Sequence, residues 1–416
     1  MREVENAFLP SKEIIDPERF SGREIYLRKA YRSLLTDGAN IAIVGNRGIG
    51  KTSLARQIIN ISKGDNRILE KFGFRADERL NFLTTYLACG RDIQNVDTLL
   101  EKLVTSRDCL NSWAYEIPRA RTEVEKLSSV LKTGVGDVGA ERSNSASSSN
   151  VISSHSMQTI FQNVASLILE AHREHDGLLV VIDEFDQIAD PTGFASLVKS
   201  LATNTPGLRF CIVGVAQDIE NLMKEHGSSD RLFSGSIFSL PSMNKDELVG
   251  IIEDAESRIG KLITFSTEAK NQIATLSQGH PYLTHLIGKQ SFRHAYDEGL
   301  YSAPLDEIYI SEILIKIAEE EADPSLEARY KTAVASSPQR ESLLKAFASE
   351  TGKNNELSTL TVYKVARQFG VDNPSQYMGH LVKEAYGAEL AKVREKYYRF
   401  KDSLFKAYAA ARPRIH

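Results

Sequence analysis

Four short apolar runs, Ile41 to Val44, Phe82 to Cys89, Leu178 to Ile182 and Phe210 to Val215, alternate along the first half of the chain with stretches whose apolar residues recur at helical spacing. This alternation limits the fold more than any other feature. Strands joined by helices pair in parallel, and a parallel sheet needs helices over both faces to bury it. The spacing predicts helices at 23 to 36, 51 to 61, 96 to 105, 157 to 173 and 193 to 202. Strand signals stop near residue 243. Four helical patterns then follow, at 245 to 258, 267 to 277, 282 to 297 and 307 to 321, with Asn244 and Ser266 at cap positions and Gly260, Gly279 and Gly299 at helix ends.

At 416 residues the chain exceeds what one hydrophobic core usually supports. We expect an α/β core over 1–243, a parallel sheet with helices on both faces, then a helical lid domain over 244–330 and a third domain over 331–416. The last region reads as helices at 339 to 349 and 361 to 368, then Asn373-Pro374 opening a helix that runs to Glu384. Two strand-like runs, 390 to 393 and 397 to 400, flank Arg394-Glu395-Lys396, the pattern of a helix-turn-helix with a hairpin wing. Residues 132–155, rich in Gly and Ser, read as a flexible insertion in the first domain.

Composition excludes several classes. With 42% apolar and 25% charged residues and a net charge of -4, the chain is neither disordered nor coated in basic charge. The cysteines, Cys89, Cys109 and Cys211, are widely spaced and form no chelating Cys/His pattern, which fits a reducing cytosol. No basic-then-apolar leader opens the sequence, and no apolar run nears the ~20 residues that span a bilayer. We therefore expect a cytoplasmic protein without a membrane partner.

The chemistry concentrates in Gly45-Asn46-Arg47-Gly48-Ile49-Gly50-Lys51-Thr52, followed by Ser53, which lies directly after an expected strand and directly before an expected helix. Glycines let the backbone wrap until successive N–H groups face a phosphate, and the helix adds its positive N-terminal end. In such a loop Lys51 reaches the β- and γ-phosphates and Thr52 binds Mg²⁺. A second element is independent of the first: Leu178 to Ile182 runs into Asp183-Glu184, placing two carboxylates at the C-terminal end of a buried strand, the edge where parallel sheets bind ligands. Asp183 is placed to hold the Mg²⁺ shell and Glu184 to orient the attacking water. ATP and Mg²⁺ are the expected cofactors, and Mg²⁺-dependent ATP hydrolysis the expected activity.

These motifs, with Phe20-Ser21-Gly22-Arg23-Glu24 upstream and the helical region downstream, resemble P-loop AAA+ ATPases of the origin-recognition type and the related STAND ATPases. The resemblance covers nearly the whole chain. It implies that Asn6 to Pro10 and Phe20, Gly22 and Arg23 wrap the adenine, and it marks Arg231, in Ser228-Ser229-Asp230-Arg231, as an arginine offered to a neighbouring subunit's γ-phosphate. An ordinary solvated loop arginine is the alternative for Arg231. Gln217 stands where a polar γ-phosphate sensor is common. Gly279-His280-Pro281 resembles the STAND pattern, with Pro281 on the nucleotide and Tyr282 where AAA+ relatives often carry a sensor arginine. That departure favours a nucleotide-gated switch over a strong motor.

Charge is distributed unevenly. Residues 330 to 416 carry 15 Lys/Arg against 8 Asp/Glu, a balance of +7 that leaves -11 for the remainder. The tail could engage duplex DNA through its phosphates. Yet the expected recognition helix offers only Lys383 as a long basic side chain, so a winged domain used for protein contacts stands as the alternative, with self-association or a protein client as the partner.

Overall fold

The structure is a computed structural model that describes residues 1–133, 154–215, 233, 236–350 and 356–415. Residues up to 239 build a five-stranded parallel sheet of β1 (Ile41–Val44), β2 (Phe82–Ala88), β3 (Gly177–Asp183), β4 (Leu208–Gly214) and β5 (Ile237–Ser239), in the order β2-β3-β4-β1-β5. Every residue of β1, β3 and β4 is buried. Successive side chains of these strands therefore enter two different cores. Leu178, Val180 and Ile182 pack under the helices Val96–Thr105, Ser154–Ala171 and Phe194–Asn204, whereas Leu179 and Val181 pack under Glu24–Leu35 and Lys51–Ser62. The apolar runs are continuous because both faces of each strand are covered.

Beyond β5 the described residues add no strand to that sheet. Helices Lys245–Arg258, Thr267–Leu276, Pro281–Asp297 and Glu307–Glu319 follow the expected pattern. Asn244 caps the first with a reciprocal capping box to Glu247, and Ser266 caps the second by accepting the Ala269 N–H. Gly279 has φ +83°, and a Cβ there would stand 2.4 Å from the Ser242 Cβ, so the closely packed chain around 242 needs a glycine.

The tail holds helices Pro338–Ser349, Thr359–Gln368 and Pro374–Leu381, then the antiparallel strands β6 (Leu357–Ser358), β7 (Leu390–Arg394) and β8 (Tyr397–Phe400), ordered β6-β8-β7, and a final helix Ser403–Ala411. Asn373 precedes Pro374 as expected, but its side chain receives the Ser375 hydroxyl at 2.8 Å instead of a helical N–H. One continuous apolar core runs from Met243 to Ala409 and takes in Val4, Ala7 and Phe8 from the N-terminus. Residue 330, the expected limit of the helical lid, lies inside the helix Pro324–Val334.

Among the elements that went unpredicted are β5, β6 and the helices Pro118–Thr133, Pro324–Val334 and Ser403–Ala411, together with the short helices Arg67–Lys71 and Asn111–Ala114. Residues 134–153, most of the Gly/Ser-rich stretch, lie outside the described residues, as do Gln217 and Arg231. Among the described residues no helix is long and apolar enough to cross a membrane.

Candidate functional site

β1 ends at Val44 and the helix Lys51–Ser62 begins at Lys51, so Gly45 to Gly50 form the turn between them. Gly48 and Gly50 have φ +72° and +92°, values that let the loop curl without a Cβ clash. The Lys51 ammonium folds back over this curl and donates to the Gly45 and Asn46 carbonyls, each at 3.0 Å. Burial lowers its pKa, while Asp186, Asp183 and Glu184 oppose that shift, so the lysine sits as a desolvated cation facing three carboxylates.

β3 delivers those carboxylates at the same edge of the sheet. Asp183 is only 2% exposed, its Oδ2 accepting the Tyr86 hydroxyl at 2.8 Å and its Oδ1 the Glu184 N–H at 2.7 Å. Glu184 is exposed and adopts φ 53°, a left-handed conformation that costs a residue with a Cβ about 1 to 2 kcal/mol. Strain of this kind gathers at functional positions. Here it turns the chain sharply, so that adjacent carboxylates meet different surroundings, one buried and one open to solvent.

A cavity of about 910 Å³ opens over this edge. Arg47 to Ser53, Asp183, Glu184 and Asp186 line one side, Leu9 to Ile14, Phe20 and Arg23 another, and Pro281, Tyr282 and His285 a third. Gly45 and Asn46 precede the lining stretch, and Gly22 sits behind it, its φ of +70° bringing a notional Cβ to 2.7 Å from the Glu247 carboxylate. The Arg23 N–H donates to that carboxylate at 3.0 Å, and its guanidinium donates to the Ile49 carbonyl at 3.3 Å, joining the upstream segment to both the loop and the helix Lys245–Arg258. Phe8 does not reach the cavity wall. It is fully buried against the helix Pro281–Asp297, edge-on to Phe292 at 5.0 Å.

The N-terminal segment straps the two halves together. Ile14 donates to Ser53 Oγ at 3.0 Å, Leu9 donates to His285 Nδ1 at 3.3 Å, and Glu5 holds Arg293 through contacts of 2.8 and 3.0 Å. Burial lowers the His285 pKa to about 4, helped by the positive charges of Arg19 and Arg258. His280 is also depressed to about 4 by burial, against the pull of Asp402, and its Nδ1 has no hydrogen-bond partner.

Several participants were not expected from the sequence, Asp186, Glu247 and His285 among them. Tyr86 anchors Asp183, Arg56 lies 3.5 Å over the Tyr86 ring and pairs with Glu13 at 3.0 Å, and Leu404 of the final helix reaches the loop. A Cβ on Gly48 would stand 3.1 Å from a Leu404 methyl and 3.6 Å from the Tyr282 Cβ. Tyr86 lies beside Thr84 and Thr85 in β2, so no local signal marked it. Nothing local to residue 404 pointed to residue 48.

The donors present suit a nucleoside triphosphate. A curled loop with two positive-φ glycines, a buried ammonium and a helix N-terminus fits a polyphosphate, and Thr52 and the buried Asp183, which line the same cavity, are hard oxygen ligands of the kind Mg²⁺ takes.

No protein-family profile matches the chain. The Walker-type ATPase PABY2304 of Pyrococcus abyssi superposes with a TM-score of 0.51 at 13% identity, over 96% of this chain and 98% of that one. Cdc6p from Pyrobaculum aerophilum gives 0.45 at 14% identity, covering 98% and 96%, and the ORC2 protein of Aeropyrum pernix 0.44 at 16%, covering 93% and 92%. Among curated sequences, the energy-coupling factor transporter ATP-binding protein EcfA1 of Ligilactobacillus salivarius is 20% identical over 239 residues, 58% of this chain and 79% of that protein. At such identities the likeness is one of fold. The fold is that of the P-loop ATPases, as the sequence resemblance implied.

Proposed function

We propose that this chain is an ATP-binding, Mg²⁺-dependent molecular switch of the AAA+/STAND type, which couples nucleotide state to the engagement of DNA or a protein complex. The observation that carries the reading is the junction at Gly48, where the phosphate loop touches both Tyr282 of the lid and Leu404 of the tail. Bound ATP-Mg²⁺ supplies the reactive phosphoanhydride and a cation that offsets its charge. Lys51 would exchange its two carbonyl partners for phosphate oxygens. Thr52 and Asp183 would hold the cation, and the exposed Glu184 carboxylate would orient water and accept its proton. Phe20, Arg23 and Pro281 would close around the base, and Arg231 of a second copy would complete the site.

We read the chain as core (1–243), lid (244–330) and winged tail (331–416). Exposed Lys392, Arg394, Lys396 and Arg399 on the β7–β8 hairpin support phosphate contacts by the tail.

A second reading is a scaffold that holds nucleotide with negligible turnover. It is favoured by the closed junction: Leu404 lies on the loop, and the Tyr282 hydroxyl is engaged by Asp323. Phosphate release from ATP, measured across protein concentrations with and without duplex DNA, separates the two. Turnover per chain that rises with concentration or DNA supports the switch, and negligible turnover throughout favours the scaffold. Lys51→Ala should weaken ATP binding on the order of a hundredfold, the scale of losing charge-assisted bonds to phosphate. Undiminished binding would overturn the site.

A further inference from the structure

The opposite edge of the sheet carries a cluster that the nucleotide site does not use. Between the helix Ser154–Ala171 and β3, His172, Glu174 and His175 bring one ligand atom each to within 4.8 Å of one another. The His172 Nδ1 stands 3.5 Å and the His175 Nδ1 3.3 Å from the same Glu174 oxygen. A tetrahedral cation with bonds of about 2.0 to 2.1 Å needs its ligands about 3.4 Å apart. The two imidazoles therefore already stand off the carboxylate at the spacing of a shared cation.

We propose that His172, Glu174 and His175 form a divalent transition-metal site of the zinc class, separate from the Mg²⁺ expected at the nucleotide. Two imidazole nitrogens and one carboxylate suit Zn²⁺, Co²⁺ or Ni²⁺, whereas Mg²⁺ prefers oxygen alone. The His175 Nδ1 is shielded from solvent and, although 3.3 Å from Glu174, has no partner of hydrogen-bond geometry. A cation would satisfy that lone pair.

The segment is held in place before any metal arrives. His172 and His175 donate their backbone N–H groups to Ile168 and His172 carbonyls at 3.1 Å each. At the next position Asp176 exchanges contacts with Asn81, its N–H donating at 3.0 Å and its carboxylate accepting at 2.6 Å. The site thus sits where the end of a helix meets the start of two neighbouring strands. Seven residues of β3 place it roughly 20 Å from Asp183. A metal there would act on stability of the sheet, not on phosphate chemistry.

The test uses the full chain, stripped by chelator and free of nucleotide, titrated with Co²⁺ in excess Mg²⁺. One equivalent should give the intense visible absorption of four-coordinate cobalt, be displaced by Zn²⁺ and raise the melting temperature. His172→Ala and His175→Ala should each weaken uptake about tenfold or more, the loss seen on removing even a hydrogen-bond partner of a metal ligand. Asp183→Asn should leave it unchanged. Absence of stoichiometric uptake by the folded protein would overturn the proposal, and so would uptake that survives both histidine substitutions but falls with Asp183→Asn.

Discussion

The two halves of this molecule are built on different plans. The sheet divides its surroundings into two cores, each fed by alternate residues of β1, β3 and β4, whereas the lid and tail share one core from Met243 to Ala409. A sheet packed on both faces is a rigid platform on which a loop and a strand end can be fixed. A helical body with its own core can shift against that platform without opening. The cavity lies between the two, crossed by the N-terminal strap and touched at Gly48 by Leu404. In the proposed switch, motion would therefore fall at this junction, with the residues of the shared core from Met243 to Ala409 moving as one body.

The largest effect should come from breaking the second core. Glu327 is fully buried, bound by Arg412 at 2.7 and 2.9 Å and by the Tyr408 hydroxyl at 2.7 Å. Removing one partner from such a pair costs about 3 to 5 kcal/mol. Arg412→Ala should therefore lower the melting temperature of the whole Met243–Ala409 body in a single transition. Separate melting of lid and tail would show that they are two bodies.

Glu184→Gln tests the platform in the opposite sense. ATP binding should persist while turnover falls by about 10² to 10⁴, the contribution of a positioned general base. Hydrolysis at the wild-type rate would remove Glu184 from the reaction.

Acid should act on the junction. His280 and His285 are held near 4, below the ordinary 6.5, so the folded protein resists protons that the unfolded chain accepts. Stability is complete above pH 6.5 and falls as pH drops toward 4, by up to roughly 3 kcal/mol for each histidine. Melting curves at pH 7 and 4.5 should show the loss, and His285→Gln should reduce its slope. An unchanged slope would place the acid sensitivity elsewhere.

The smallest effect sharpens the picture at the strand end. Tyr86→Phe removes one bond to Asp183, worth about 1 to 2 kcal/mol, and should raise the Mg²⁺ concentration needed for tight ATP binding while leaving the fold intact. A Mg²⁺ dependence identical to wild type would mean that Asp183 needs no such anchor.

What the sequence made legible follows from the range of the forces involved. β1, β3, β4 and the carboxylates at the end of β3 were readable because burial on both faces writes an uninterrupted apolar run, and β2 was readable from its apolar ends, Phe82-Leu83 and Leu87-Ala88, although Thr84, Thr85 and Tyr86 interrupt it. β5 escaped because Ile237-Phe238-Ser239 buries only its central residue and is too short for periodicity to register. The helix Pro118–Thr133 carries charge through its first turns, at Arg119, Arg121, Glu123, Glu125 and Lys126, which blurs its apolar face. The phosphate loop was visible as a local motif. Its neighbours Tyr86 and Leu404 were not: the first joins Asp183 only through the pairing of β2 with β3, and the second meets Gly48 from the far end of the chain.

The most direct test is hydrogen exchange of the full chain with and without ATP-Mg²⁺. Exchange should slow at Gly48 to Ser53 and Asp183 to Glu184 and change across the junction at Pro281 to His285 and Asp402 to Phe405. Protection confined to the sheet edge, with lid and tail unchanged, would contradict a nucleotide signal that passes between the halves.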